Sequence, residues 1–142
     1  MSNLKTLIKA FKSETKIFQD KLSTAFKDEV QKLLDANPEI HGIKWEQFTP
    51  YFNDGEPCEF QVHEYAIMFS KEDEDTKTYE LSDREYDFAP DSKEAIITKK
   101  VHEVLNEFNR LPSEILRLLF GDHVEVIATR KGFRVEEYED HD

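Results

Sequence analysis

The stretch Trp45-Glu46-Gln47-Phe48-Thr49-Pro50-Tyr51-Phe52-Asn53-Asp54-Gly55-Glu56-Pro57-Cys58-Glu59-Phe60 holds the only Trp, the only Cys and two of the five Pro residues of the chain. Ile43 and Trp45 alternate with Lys44 and Glu46 as in a half-buried strand, until Thr49-Pro50 interrupts the run. Pro has no N–H to give to a ladder, so the run reads as an edge strand or a strand end. Asn53-Asp54-Gly55 supplies a turn in which Gly55 is free to take positive φ, and Pro57 fixes the exit. Beyond it, Cys58, Phe60 and Val62 share one parity, whereas Tyr65, Ile67 and Phe69 share the other. Side chains alternate with period two along a strand, so one face stays apolar only if an extra residue intervenes, which predicts a β-bulge or bend near His63-Glu64. The alternative is a strand buried on both sides towards its end. Residues 43–69 therefore read as a hairpin around which the helices pack.

Upstream, Leu4, Leu7, Ile8, Phe11, Phe18, Leu22, Ala25, Phe26, Val30 and Leu33 follow the spacing of one long amphipathic helix over residues 4–35, closed by Pro38. The gap in the stripe at Glu14 and Thr15 leaves room for a kink or for two shorter helices. Lys5, Lys9, Lys12 and Lys16 share a face beside the apolar stripe, at about 100° per residue. That ridge is either a solvated helix face, a docking ridge or an internal counterpart of the acidic tail.

Downstream, residues 71–90 read as an acidic loop. Glu72, Asp73, Glu74 and Asp75 lead into Glu80, Asp83, Glu85 and Asp87, with Tyr79, Leu81, Tyr86 and Phe88 as aromatic and apolar anchors and a short strand expected at Thr78–Leu81. Asp91 or Ser92 caps a helix whose apolar face is Ile97, Val101, Val104, Leu105 and Phe108. Pro112 starts a second helix with Ile115, Leu118 and Leu119 inward and Gly121 as its C-terminal cap, completing residues 92–120. Val124, Val126 and Ala128 alternate as a strand, Lys131-Gly132 turns it, and Phe133 and Val135 lead a last strand, so 123–138 is a second hairpin whose acidic tail frays. The expected class is α+β in a single domain of residues 1–142: about four antiparallel strands with a long N-terminal helix and two later helices.

Thirty-one acidic residues against nineteen basic ones give a formal charge of -12, which disfavours direct binding to nucleic-acid phosphates or anionic membranes. The imbalance is uneven: Met1–Leu34 carries more Lys than acid, whereas 72–87 and 136–142 are strongly acidic. Eleven Phe, five Tyr and one Trp place much of the apolar area in large rings, which argues for a packed core. A lone Cys, the absence of zinc-finger spacing and an N-terminus without an apolar run point to a reducing, cytoplasmic setting with no structural metal or membrane span.

Two pieces, Trp45-x-Gln47-Phe48-Thr49-Pro50-Tyr51-Phe52-Asn53-Asp54-Gly55-Glu56-Pro57-Cys58-x-Phe60 and Phe120-Gly121-Asp122-His123-Val124-Glu125-Val126 through Val135-Glu136-Glu137-Tyr138, together resemble a group of small proteins found largely in bacteriophages and some bacteria. The resemblance covers the central hairpin and the final third of the chain and leaves out the acidic insert. It carries no assigned activity; what it implies is a phage context, in which a small protein binds and redirects a host macromolecule.

For chemistry, Asp54, Glu56, Cys58 and His63 are the candidate catalytic cluster. A nucleophilic Cys needs a base held against it, and five residues along a strand put His63 on the opposite face from Cys58 unless the bulge realigns them. Without that realignment Cys58 is a small core residue and Asp54 a turn former. His102, His123 and His141 lack the spacing of a metal triad, the Glu72–Asp75 run lacks the Gly and alternating ligands of a calcium loop, and no Gly-rich phosphate loop exists, so no cofactor is expected. Gln47, Thr49, Tyr51 and Asn53, polar groups and a ring amid aromatics, form a candidate binding surface, with Glu72, Asp73, Glu74 and Asp75 as an acidic one.

The leading expectation is a non-catalytic acidic protein that engages or inhibits a host macromolecule, such as a basic nucleic-acid-binding protein, through a surface that mimics nucleic-acid phosphates. The alternative is a small enzyme or ligand-binding domain with its pocket at Asp54, Glu56, Cys58 and His63. A third reading makes the long helix an oligomerisation surface.

Overall fold

The computed structural model describes residues 3–50, 58–63 and 65–137. It is an α+β fold with an antiparallel sheet and a long N-terminal helix. Along the chain run α1 (Asn3–Ala36), β1 (Gly42–Phe48), β2 (Gln61–Val62), β3 (Ala66–Met68), a 3-10 turn (Lys71–Asp75), α2 (Thr78–Tyr86), α3 (Lys93–Phe108), α4 (Ser113–Phe120), β4 (Val124–Thr129) and β5 (Gly132–Glu137). No helix among the described residues is long and apolar enough to cross a membrane.

β1 is the centre of the sheet. It pairs antiparallel with β4 on one side and with both β2 and β3 on the other, while β5 extends the sheet beyond β4. Of the two expected alternatives, edge strand or strand end, the second holds: β1 is central and ends at Phe48, so Pro50 lies past the last rung and removes no hydrogen bond from the ladder. Gly42 sits between two close neighbours, and a Cβ there would lie 2.2 Å from the Ala128 carbonyl oxygen and 2.9 Å from the Met68 methyl.

The bulge is present. Gln47 pairs with Val62 and Phe48 with Gln61, but Lys44 pairs with Ala66 and Ile43 with Ile67, a register that has advanced by one residue between the two short strands. His63 N–H still donates to the Glu46 carbonyl at 2.8 Å. The extra residue lets Val62, Tyr65, Ile67 and Phe69 all pack on the same core. It also divides one expected strand into two, so the sheet has five strands rather than about four.

That core lies between one sheet face and α1, α3 and α4, and contains Ile43, Trp45, Val126 and Ala128 with Phe26, Val30, Leu34, Val101 and Leu105. Trp45 is fully buried, with edge contacts to Phe26, Tyr65 and Phe120 at centroid distances of 6.0, 5.1 and 5.8 Å. Burial pushes the Tyr65 phenol well above its ordinary pKa. α1 is continuous through Glu14 and Thr15, with no break at the gap in its stripe. At its C-terminal end, Arg130 donates to the carbonyl of Leu34 in the last turn and to those of Asn37 and Ile40 in the connection to β1, tying the helix end to the β4–β5 turn.

Ser92 caps α3, its hydroxyl accepting from Ala95 N–H at 3.1 Å. In α4, Ile115 and Leu116 are buried, whereas Leu118, expected inward, is 58% exposed. The helical period brings Leu116 in line with Phe120 and turns Leu118 away. Gly121 closes α4 at φ 101° and Gly132 opens β5 at φ 125°, both conformations that favour glycine.

The other sheet face is covered by the 3-10 turn and α2. The acidic loop expected over 71–90, with its strand at Thr78–Leu81, is therefore mostly helical. Ala66, Met68, Leu81 and Ile127 make a small apolar cluster there. Beside it Lys44 is buried but fully engaged, pairing with Glu125 at 3.0 Å and donating to the carbonyls of Glu74 and Thr76. A buried charge is tolerated only when it is paired and hydrogen-bonded in this way.

Candidate functional site

α2 divides its residues cleanly between two sides. Thr78, Leu81 and Ser82 are buried, as the i, i+3, i+4 spacing of an inward face requires. Tyr79, Glu80, Asp83, Tyr86 and Asp87 fall within an arc of about 120° on the opposite side at ~100° per residue. Tyr79 is 58% and Tyr86 81% exposed, and Glu80, Asp83 and Asp87 are exposed with them. The two tyrosines are therefore not the anchors that the sequence pattern suggested; Leu81, with Phe88 against Phe69, fills that role.

The inward side is held by charged hydrogen bonds. Arg84 grips Asp73 with both terminal nitrogens at 3.0 Å, and Asp73 also accepts from Phe69 N–H at 2.7 Å. Burial alone would raise the Asp73 pKa, but the Arg84 hydrogen bond and charge with the Phe69 and Ser70 amides hold it below the usual carboxylate range. The Arg84 guanidinium also lies over the rings of Phe69 and Phe88, at 5.7 and 5.9 Å. Glu85 accepts from Ile67 N–H at 3.1 Å and meets His102 Nε2 at 2.8 Å, tying α2 to β3 and to α3. Thr78 Oγ1 donates to Glu125 on β4.

Within the acidic run the four residues part company. Asp73 is buried against Arg84, and Glu74 is held by His41 and Arg134. The His41 hydrogen bond and then the Arg134 charge outweigh desolvation and lower the Glu74 pKa. Glu72 and Asp75 are exposed. Among the described residues, none of the ion pairs uses Glu72, Asp75, Glu80, Asp83 or Asp87. On α2, the carboxylates of Glu80, Asp83 and Asp87 and the phenols of Tyr79 and Tyr86 form a polar, anionic face on a backbone that is fixed from behind.

The candidate surface on the central hairpin fares differently. Gln47 is fully buried, its Oε1 accepting from Trp45 Nε1 at 3.0 Å and its Nε2 donating to the carbonyls of Leu116 and Gly121 at 2.9 and 2.8 Å. Thr49 donates from both N–H and Oγ1 to the carboxylate of Asp122, at 2.8 and 2.7 Å. These bonds, with the His123 amide and charge, overcome desolvation and lower the Asp122 pKa. Gln47 and Thr49 thus lock β1 to the α4–β4 connection, and their polar atoms are used internally. Tyr51 and Asn53 lie outside the described residues, as do the turn Asn53-Asp54-Gly55, Pro57, Glu64 and the tail from Tyr138.

Of the candidate catalytic cluster, Asp54 and Glu56 also lie outside the described residues. Cys58 is a half-buried free thiol. The His63 ring stacks on Phe48 at 4.0 Å, and its Nε2 is buried without a hydrogen-bond partner, Cys58 included. Burial lowers the His63 pKa. Among the described residues, no group of three or more His, Cys, Asp or Glu side chains is placed to hold a metal ion.

The sequence pattern missed Arg84, Glu85 and Asp122 as fastening residues, because their partners lie 11 to 73 positions away. The outward face of α2 had a signal: Tyr79, Asp83 and Tyr86 recur at helical spacing. Comparison with protein-family models, with curated proteins and with solved structures yields no match to the chain.

Proposed function

We propose that this chain is a non-catalytic binding protein whose outward face of α2 engages a basic macromolecule, of the kind that itself handles nucleic acid. The observation that carries this reading is the set Tyr79, Glu80, Asp83, Tyr86 and Asp87, exposed on one side of a helix that Asp73–Arg84, Glu85–His102 and Leu81 hold from the other. Carboxylates spaced along a rigid helix offer regularly placed negative charge to Lys and Arg. Exposed tyrosines add large, stiff contact area, the residue type that concentrates binding energy at interfaces. The overall charge of -12 favours encounter with a cationic partner. The resemblance of the hairpin and final third to small phage proteins agrees with a host macromolecule as target.

Capture from a bacterial lysate on the immobilised chain tests the reading, with Asp83→Lys/Asp87→Lys and Tyr86→Ala as parallel baits. A basic nucleic-acid-binding protein is expected to be retained, with affinity falling about tenfold between roughly 50 and 300 mM salt, and to be displaced by duplex DNA. Both baits are expected to lose it. Retention that is indifferent to salt, or equal on all baits, overturns the proposal.

A further inference from the structure

The first buried residue of α1 is Phe26, so its preceding 23 residues rise about 34 Å without a buried side chain. On this arm Leu7, Ile8, Phe11, Ile17, Phe18 and Leu22 are 58, 45, 69, 51, 65 and 39% exposed. Scattered exposed apolar residues are ordinary, but six on one helix within 16 positions are not. Ile8, Phe11, Thr15, Phe18, Leu22 and Ala25 are spaced alternately by three and four, the 3.5-residue repeat of a helix that pairs with another. The stripe does not stop at the foot of the arm. Leu22, Ala25, Phe26 and Glu29 form one wall of a groove of about 320 Å³, faced by Phe108 and Leu111.

We propose that a second copy of this chain covers the stripe, the two α1 arms pairing antiparallel about a twofold axis. Charge selects this occupant and this direction. Residues 1–22 carry five Lys against Glu14 and Asp20, whereas the remaining 120 residues carry fourteen basic and twenty-nine acidic ones. A parallel pair sets like arm beside like arm and both acidic bodies at one end. An antiparallel pair separates the bodies and brings each Lys-rich arm tip to the foot of the other copy, where Glu29 and Glu107 line the groove.

The stripe is self-complementary in that direction. Aligning Thr15 with Phe18 of the other copy aligns Phe11 with its Leu22 and Ile8 with its Ala25, and sets Glu14 beside its Lys21. The twofold axis repeats each contact, giving two Glu14–Lys21 pairs flanking the seam. At on the order of 100 Å² for each of the exposed side chains on the stripe side, Leu4, Leu7, Ile8, Phe11, Phe18 and Leu22, the seam and its lysine stems approach the ~800 Å² per partner of a stable interface.

The test is the molar mass of the full chain by light scattering and sedimentation at about 100 µM, a concentration that populates even a micromolar dimer. A dimer is expected, and Phe11→Glu/Phe18→Glu is expected to give a monomer whose near-ultraviolet signal from Trp45 is unchanged, because the arm lies outside the core. Glu14→Lys and Lys21→Glu are each expected to weaken the dimer about tenfold, and the double exchange to restore it, a pattern that only the antiparallel register produces. Any of four results overturns the proposal: a monomeric wild type, a dimer that survives Phe11→Glu/Phe18→Glu, a double exchange that fails to rescue, or a monomer whose arm instead sediments with phosphatidylcholine–phosphatidylglycerol vesicles.

Discussion

At the scale of single residues, Gln47 links more of the molecule than its neighbours do. One amide accepts from Trp45 in the core and donates to two carbonyls at the end of α4. Replacing Gln47 with Leu keeps the volume roughly but strands the Trp45 N–H in a dry interior. The expected loss is about 2–4 kcal/mol of unfolding free energy, since a buried donor and two acceptors lose their partner together. Urea unfolding followed by the fluorescence of Trp45 measures it, and a loss below about 1 kcal/mol would show the network to be dispensable. Nothing near Gln47 in the chain announced these bonds, because the acceptors are 69 and 74 residues away. By contrast the bulge after Val62 was legible, since the switch in apolar parity between Val62 and Tyr65 is a local property of a strand.

At the scale of elements, α2 is the piece whose attachment determines what surface the protein shows. It has one apolar anchor of any size, Leu81, and depends otherwise on polar fastenings. Glu85 is the most exposed to test, because its two oxygens serve β3 and α3 separately. Glu85→Ala should leave α3 and the main core intact while α2 and the Ile67 amide exchange hydrogen about tenfold faster, an opening easier by roughly 1–2 kcal/mol. Equal exchange in mutant and wild type would mean that Leu81 and Asp73–Arg84 suffice. Acidic residues at 72–75, 80, 83, 85 and 87 made this region read as a loop, because the charges dilute the apolar period that marks a helix. α1 and α3 carried that period over many turns, and the Ser92 cap of α3 is a local signal too.

At the scale of the whole molecule, folding is coupled to pH through groups on both sheet faces. Asp73, Glu74 and Asp122 have lowered pKa values in the folded chain. A carboxyl with a depressed folded pKa contributes stability above its unfolded value, near 4, and loses it as pH falls through the folded value. His63, lowered by burial, acts in the same direction from a higher starting point: its contribution declines from about pH 6.5 downward, because the unfolded chain takes up the proton first. Thermal unfolding across pH should therefore show a shallow decline beginning near pH 6.5 and a steeper one below about pH 4. His63→Gln is expected to remove the first and leave the second; a variant that retains both would place the upper titration elsewhere.

The sequence alone determined the α+β class, the long first helix, the parity shift, a cap at Asp91 or Ser92 and the cap at Gly121, all of which rest on periods or backbone preferences that act within a few residues. Tertiary structure decided that β1 is central, that Lys44 and Gln47 are buried, and that Tyr79 and Tyr86 face outward. Those outcomes depend on which strand or helix comes to lie alongside. A buried lysine or glutamine is stable only beside partners such as Glu125 or the Gly121 carbonyl, which the chain brings in from 74 to 81 residues further on.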